Sequence, residues 1–259
     1  MKGTIYLIRS GTLALVTAML VAAPVAAARD GESCAAPHEM TRLRDGLART
    51  ATRIERHEKL TIVAIGSSST AGYGATDPTL NYPSQFAAEL RRRLPNEPID
   101  VQNKGIGGET SVDMTARFDR DVLAAEPDLV IWQVGTNAVL RDLDIANYRR
   151  VVRDGLERLK RAGIDVIIMD LQFAPKVLAH PLYREMERSL AVLAKEQGVP
   201  VFQRFALMRN WLQSGQLDFT TMLSPDGLHM NDLTYGCIGR ILADAVIERA
   251  AAPIVTSDR

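Results

Sequence analysis

Gly66-Ser67-Ser68-Ser69-Thr70-Ala71-Gly72 places four hydroxyl side chains between two glycines. Directly before it, Leu60-Thr61-Ile62-Val63-Ala64-Ile65 is apolar and β-branched and reads as a buried strand. A small turn at the end of such a strand is where a parallel α/β sheet binds ligands. Far downstream, Asp226-Gly227-Leu228-His229 sets a carboxylate and an imidazole three positions apart. A serine hydroxyl is a weak nucleophile until a base takes its proton, and an imidazole serves best when an acid fixes its tautomer. Serine, histidine and aspartate together are the residue set of nucleophilic acyl transfer.

Two further turns belong with these. Asn103-Lys104-Gly105-Ile106-Gly107-Gly108 follows a second strand, and its glycines let backbone approach a ligand and adopt φ > 0. Gly135-Thr136-Asn137 follows a third. Taken singly, each is an ordinary turn. Their order, one at the end of each successive strand, is what links them. The glycine run is not a dinucleotide fingerprint, because it follows the second strand and lacks the Gly-x-Gly-x-x-Gly spacing.

The elements that must position these residues alternate. Strands are predicted at Leu60–Ile65, Ile99–Gln102, Leu129–Val134, Val166–Leu171 and Val199–Phe202. Helices are predicted near 82–93, 111–125, 144–162, 182–197 and 232–250. Alternation of this kind gives a parallel sheet with helices on both faces, a three-layer α/β/α sandwich. All four turns then meet at the C-terminal rim of one sheet. One domain spans about 60–250, after an N-terminal segment 29–59 and before a tail 251–259. In that segment Met40, Leu43, Leu47 and Ile54 recur at helical spacing and predict an amphipathic helix over Thr41–His57. In the last helix Ile238, Ile241, Leu242, Ala245 and Val246 form an apolar stripe, with Asn231 or Asp232 to cap its start.

Composition narrows the partners. The 259 residues carry 31 Lys and Arg against 31 Asp and Glu, so the balance gives no electrostatic case for nucleic acid or an anionic membrane. Arg91-Arg92-Arg93 reads as a solvated helix end. His38, His57 and His180 read as surface or loop residues, and no cluster of His, Cys or carboxylates has metal spacing. No cofactor or metal is implied. Lys2 and Arg9 precede an apolar stretch, Gly11 to Ala23, and Ala26-Ala27-Ala28 supplies small residues for cleavage. Residues 1–28 are therefore expected to be an export signal, with a periplasmic or secreted product and no stable membrane association after cleavage. The two cysteines, Cys34 and Cys237, are permitted a disulfide in that compartment, though sequence does not say whether they meet.

On these residues the chain resembles the SGNH (GDSL-type) hydrolase family, whose Ser, Gly, Asn and His stand in four separate blocks. The match runs in block order from about Leu60 to Ala250. The resemblance implies a flavodoxin-like hydrolase fold with Ser68 as nucleophile, Gly108 and Asn137 in the second and third blocks, and Asp226 and His229 in the last. Asn231 and Tyr235 fit the pattern that follows that histidine. The oxyanion hole would comprise the N–H groups of Ser68 and Gly108 and the side-chain amide of Asn137. Two departures stand out: Ser67 occupies the usual place of an aspartate, and Ala138 follows Asn137 where aspartate is common. Ser69 remains the alternative nucleophile.

The implied activity is a serine esterase acting on short-chain acyl esters, with a small-molecule or carbohydrate O-acetyl ester as substrate. An O-acyltransferase using the same acyl-enzyme and a non-catalytic carbohydrate-binding module retaining the fold are the competing readings. The loop Gln172-Phe173-Ala174-Pro175 is expected to form one wall of a shallow acyl pocket.

Overall fold

Every side chain of Leu60–Gly66 except Thr61 is buried, as a strand covered on both faces requires. This strand, β1, belongs to a five-stranded, all-parallel sheet in the computed structural model of the protein, which describes residues 34–44 and 46–252 together with residues 1 and 3. The other strands are β2 (Ile99–Gly105), β3 (Leu129–Gln133), β4 (Asp165–Met169) and β5 (Val201–Phe202), in the order β2-β1-β3-β4-β5. The expected export signal lies outside the described residues, apart from residues 1 and 3.

The helices are α1 (His38–Thr41), α2 (Ala48–Glu55), α3 (Ser68–Ala71), α4 (Tyr82–Arg93), α5 (Ser111–Ala116), α6 (Phe118–Asp121), α7 (Thr136–Leu140), α8 (Ile145–Arg161), α9 (Pro175–Leu178), α10 (Tyr183–Gln197), α11 (Arg204–Gln213), α12 (Phe219–Met222) and α13 (Asp232–Ala251). They enclose the sheet as two groups: α13 packs on α4 and α2, whereas α8 packs on α10 and α5. The expected three-layer α/β/α arrangement is the one observed.

Several elements differ from the sequence reading. The helix expected over 41–57 is two short helices, because Arg42 is extended and Leu47 is non-helical. Leu43 and Leu47 are nevertheless buried, so the apolar spacing reported burial without a continuous helix. The helix expected over 111–125 breaks at Arg117, whose guanidinium turns inward and donates to the Lys104 carbonyl at 2.8 Å. The apolar stripe expected on α13 is buried in full, and burial extends beyond it round most of the helix from Thr234 to Val246. At Gly239 a Cβ would stand 2.8 Å from the Phe86 backbone nitrogen, so a missing side chain lets α13 close onto α4. Strand β2 runs past its expected end to Gly105, pairing with the whole of β1 so that Gly66 faces Gly105 at the rim.

Candidate active site

The rim of the sheet is where β1 hands over to α3. Ser67, Ser68 and Ser69 leave this turn in three directions, and their partners distinguish them. Ser67 Oγ donates to Gln133 Oε1 at 3.0 Å, and Ser69 Oγ donates to Gln172 Oε1 at 2.7 Å; both serines are buried. Ser68 is half-buried, and its Oγ lies 2.8 Å from His229 Nε2. Of the two serines that the sequence left in competition, Ser68 is the one that meets the imidazole. Gln133 also accepts from the Ser67 backbone N–H at 2.9 Å. A hydroxyl at position 67 thus organises the turn through the polar residue that ends β3.

His229 sits on a tight loop between α12 and α13. An isolated antiparallel bridge joins Leu223 to Met230, and Ser224 N–H donates to the His229 carbonyl at 2.8 Å. Asp226 Oδ1 accepts from Ser224 Oγ, Leu228 N and His229 N, while Oδ2 accepts from His229 Nδ1. Burial pushes this carboxyl up, but these donors, led by the imidazole, outweigh it and hold Asp226 well below the usual carboxylate range. The acid is therefore an anion across the ordinary pH range, and it fixes the proton on Nδ1. Nε2 is left as the acceptor facing Ser68. Asn231 caps α13 by accepting from Thr234 N, and Tyr235 Oη donates to the Tyr73 carbonyl at 2.6 Å.

Gly108 and Asn137 lie together on the neighbouring part of the rim, where the Ile106 N–H joins the glycine turn to the Gly66 carbonyl at 3.0 Å. Gly108 has φ of +80°, a conformation that side chains resist. Among the described residues, the backbone N–H groups of Ser68 and Gly108 donate to no protein acceptor. Asn137 Nδ2 donates to the Glu109 carbonyl at 2.8 Å, which fixes the amide beside the Gly108 turn. The turn is fixed from behind: Thr110 and Asp113 form a capping box, and Glu109 pairs with buried Arg117 at 2.6 Å. Backbone donors without acceptors, on adjoining turns of one rim, are the kind of groups that can stabilise an oxyanion.

Sequence reasoning missed the supports of the site. Gln172 is fully buried: its Nε2 donates to the Leu228 carbonyl and its Oε1 accepts from Ser69, tying the nucleophile turn to the histidine loop. Arg204 is also fully buried, and its Nη2 donates to the Asp170 carbonyl at 2.6 Å beneath that link. Phe173 is buried against Phe205 and Phe219. The loop 172–175, expected to form one wall of a shallow acyl pocket, braces the site through Gln172 and turns its aromatic ring, Phe173, into the core. A single polar residue ending an apolar strand, as Gln133 does and as Gln172 does just after β4, was the available signal. Arg141 and Tyr73, both exposed, stand near Gly108 and Gly107 and were likewise missed. His38, His57 and His180 lie elsewhere, beside Glu248, Glu97 and Asp142. No group of three or more His, Cys, Asp or Glu among the described residues is placed to hold a metal ion.

Comparison with known proteins gives a consistent family. The model of the non-GDSL lipase-like family matches residues 33–252. The chain is 25% identical over 171 residues to the esterase TesA of Pseudomonas aeruginosa, covering 65% of this chain and 79% of that protein. It is 39% identical over 64 residues to an acetylxylan esterase of Geobacillus stearothermophilus, covering 25% of this chain and 29% of that protein. Among solved structures, a two-domain esterase (CEX) active on acetylated mannans superposes with a TM-score of 0.70 at 20% identity. That match covers 85% of this chain, which spans only 58% of the two-domain protein.

Proposed function

Because the chain belongs to the non-GDSL lipase-like family and has the SGNH hydrolase fold, we propose that it is an exported serine esterase that cleaves short acyl esters through an acyl-enzyme on Ser68. The observation that carries this reading is the continuous hydrogen-bonded line from Asp226 through His229 to Ser68 Oγ.

The steps follow from that line. His229 Nε2 takes the Ser68 proton as Oγ bonds to the ester carbonyl carbon, and the carbonyl π electrons move onto oxygen. The N–H groups of Ser68 and Gly108, with the second amide hydrogen of Asn137, receive the oxyanion. As the carbonyl re-forms, the bond to the alcohol oxygen breaks and His229 returns its proton to the leaving alkoxide. Water then repeats the sequence: it loses a proton to His229 and adds to the acyl carbon, and Ser68 leaves and recovers its proton. Asp226 stabilises the imidazolium in each half without itself accepting the proton.

A relative that is an acetylxylan esterase supports a small acyl group, and no long apolar insertion in the sequence suggests a lid for long chains. The Cys34–Cys237 bond, closed in the structure, suits an oxidising compartment and supports export. No helix among the described residues is long and apolar enough to cross a membrane.

A serine-reactive fluorophosphonate tests the reading. The label should map to the peptide containing Ser68 and disappear in Ser68→Ala, with p-nitrophenyl acetate hydrolysed faster than the octanoate ester. Label on Ser69, or on neither serine, would overturn the assignment, and a marked preference for octanoate would overturn the short-acyl reading.

A further inference from the structure

Few large apolar side chains are left exposed among the described residues, and two of them, Tyr73 and Ile106, border the site. Tyr73 is 56% exposed, its ring centroid is 5.6 Å from that of His229, and its Oη stands 2.9 Å from where a Cβ on Gly107 would be. The backbone beneath the ring is pinned at both ends of the residue: Tyr73 N–H donates to the Ser68 carbonyl at 3.0 Å, and its own carbonyl accepts from Tyr235 Oη at 2.6 Å. The fold holds the residue firmly and leaves its ring in water. A second exposed side chain ends on the next residue of the same turn. Arg141 Nη2 is 3.3 Å from where a Cβ on Gly108 would be, and Arg141 forms no ion pair among the described residues. The acid whose charge meets Arg141, Asp113, is itself committed to the amide and hydroxyl of Thr110.

Chemistry decides which part of a substrate meets Tyr73. His229 must hand its proton to the departing alkoxide, so the alcohol leaves from the imidazole side of the site. The group carried by that oxygen consequently lies against the ring beside His229. An aromatic face binds the partly positive C–H hydrogens on one face of a saturated ring, and a guanidinium offers several forked donors to hydroxyl oxygens. An alcohol that presents both a C–H face and a girdle of hydroxyls is a sugar ring.

We propose that Tyr73 is the specificity-determining platform of a leaving-alcohol subsite, and that this subsite takes a pyranose whose hydroxyls face Arg141. The inference rests on the esterase reading above and names its substrate class. Tyr73 contributes by positioning the alcohol. Its loss therefore acts on the choice between sugar and non-sugar esters that carry the same acetyl group.

The test compares mono-O-acetylated methyl xylopyranosides with ethyl acetate, both followed by acid release. Wild type should favour the sugar ester in kcat/KM, and Tyr73→Ala should cut that selectivity ratio about tenfold or more, mainly through KM, which corresponds to ~1.4 kcal/mol. Tyr73→Phe keeps the face and should restore the ratio. An equal fall on both esters in Tyr73→Ala would make the residue a structural support of the His229 loop and overturn the proposal, as would failure of Tyr73→Phe to restore the ratio. Binding is read separately in Ser68→Ala by saturation-transfer NMR with the same acetylated xylosides, where adding Tyr73→Ala should abolish the ring-proton signal. Sugar binding through Tyr73 in a wild-type protein that cleaves no ester would keep the subsite and discard the esterase. Ester cleavage with no sugar preference would do the reverse.

Discussion

Asn137 has two amide hydrogens, and the fold commits only one of them. Its bond to the Glu109 carbonyl holds the side chain at the edge of the Gly108 turn, so in the proposed role the other hydrogen would meet the developing charge without reorganisation. Losing one donor of this kind typically removes about 2.7–4 kcal/mol of transition-state stabilisation. Asn137→Ala is therefore expected to lower kcat by roughly 100- to 1000-fold with a smaller change in KM. Steady-state kinetics on p-nitrophenyl acetate reads this directly, and an effect confined to KM would mean that the amide binds the ground state. The same scale explains the departure at Ser67. A carboxylate there would face the Gln133 side chain; the hydroxyl instead donates to Gln133 Oε1, as does the Ser67 N–H. The turn loses an anion and keeps its scaffold.

At the scale of elements, the strand ends were legible and the supports were not. β-branched apolar runs bounded by glycine and hydroxyls signal strands and turns through local chemistry, so the turns of Ser68, Gly108 and Asn137 could be set on one rim from sequence, whereas Asp226 and His229, on a loop between two helices, were joined to them by the family resemblance. Gln172 and Arg204 act through contacts far apart in sequence, such as the Arg204 bond to the Asp170 carbonyl, and no local pattern reports these. Arg204 opens α11 on its buried face, in line with Leu207, Met208 and Trp211, so a cation stands where helical periodicity expects an apolar residue. The end of β4 carries a cost that follows from the same burial. Burial pushes the Asp170 carboxyl up to about 7, although its Oδ1 accepts from Phe205 N–H at 2.9 Å and the Arg204 cation opposes the shift. An unfolded aspartate loses its proton near ~3.9, so between about pH 4 and 7 the native state holds a proton that the unfolded chain has released. Stability supplied by this group is thus complete in acid, declines as pH rises to about 7, and then levels off. Asp170→Asn keeps the acceptor and cannot ionise, so it should stabilise the protein at pH 8, by of order 1–3 kcal/mol, more than at pH 4. Urea midpoints at the two pH values check this; an unchanged pH dependence in the variant would place the cost on another group, such as Glu187, which burial also shifts upward.

For the whole molecule, one covalent link spans nearly the full length of the described chain. Cys34 and Cys237 lie 203 positions apart with Cα atoms 5.4 Å from each other, joining the segment before the sheet to α13. The link is reinforced where it lands: Trp211 Nε1 donates to the Ala35 carbonyl at 3.0 Å, and Arg240 Nη2 lies 3.0 Å from Cys34 Sγ. A cross-link stabilises chiefly by restricting the unfolded chain, and the restriction grows with loop length, so a loop of this size approaches a ceiling of about 5 kcal/mol. Measured values usually fall nearer 2–4 kcal/mol, because unfolded chains keep some structure. Catalysis should be affected far less. The His229 loop is set by its own bridge, by Asn231 N–H on the Met222 carbonyl and by Gln172, none of which passes through the disulfide. The pair Cys34→Ser and Cys237→Ser is accordingly expected to unfold about 2–4 kcal/mol more easily while its kcat on p-nitrophenyl acetate stays within about twofold of wild type. Denaturation and kinetics on the same sample separate the two effects. A folded double variant that has lost its kcat would show that the bond places α13, and with it His229, rather than merely holding the chain ends together.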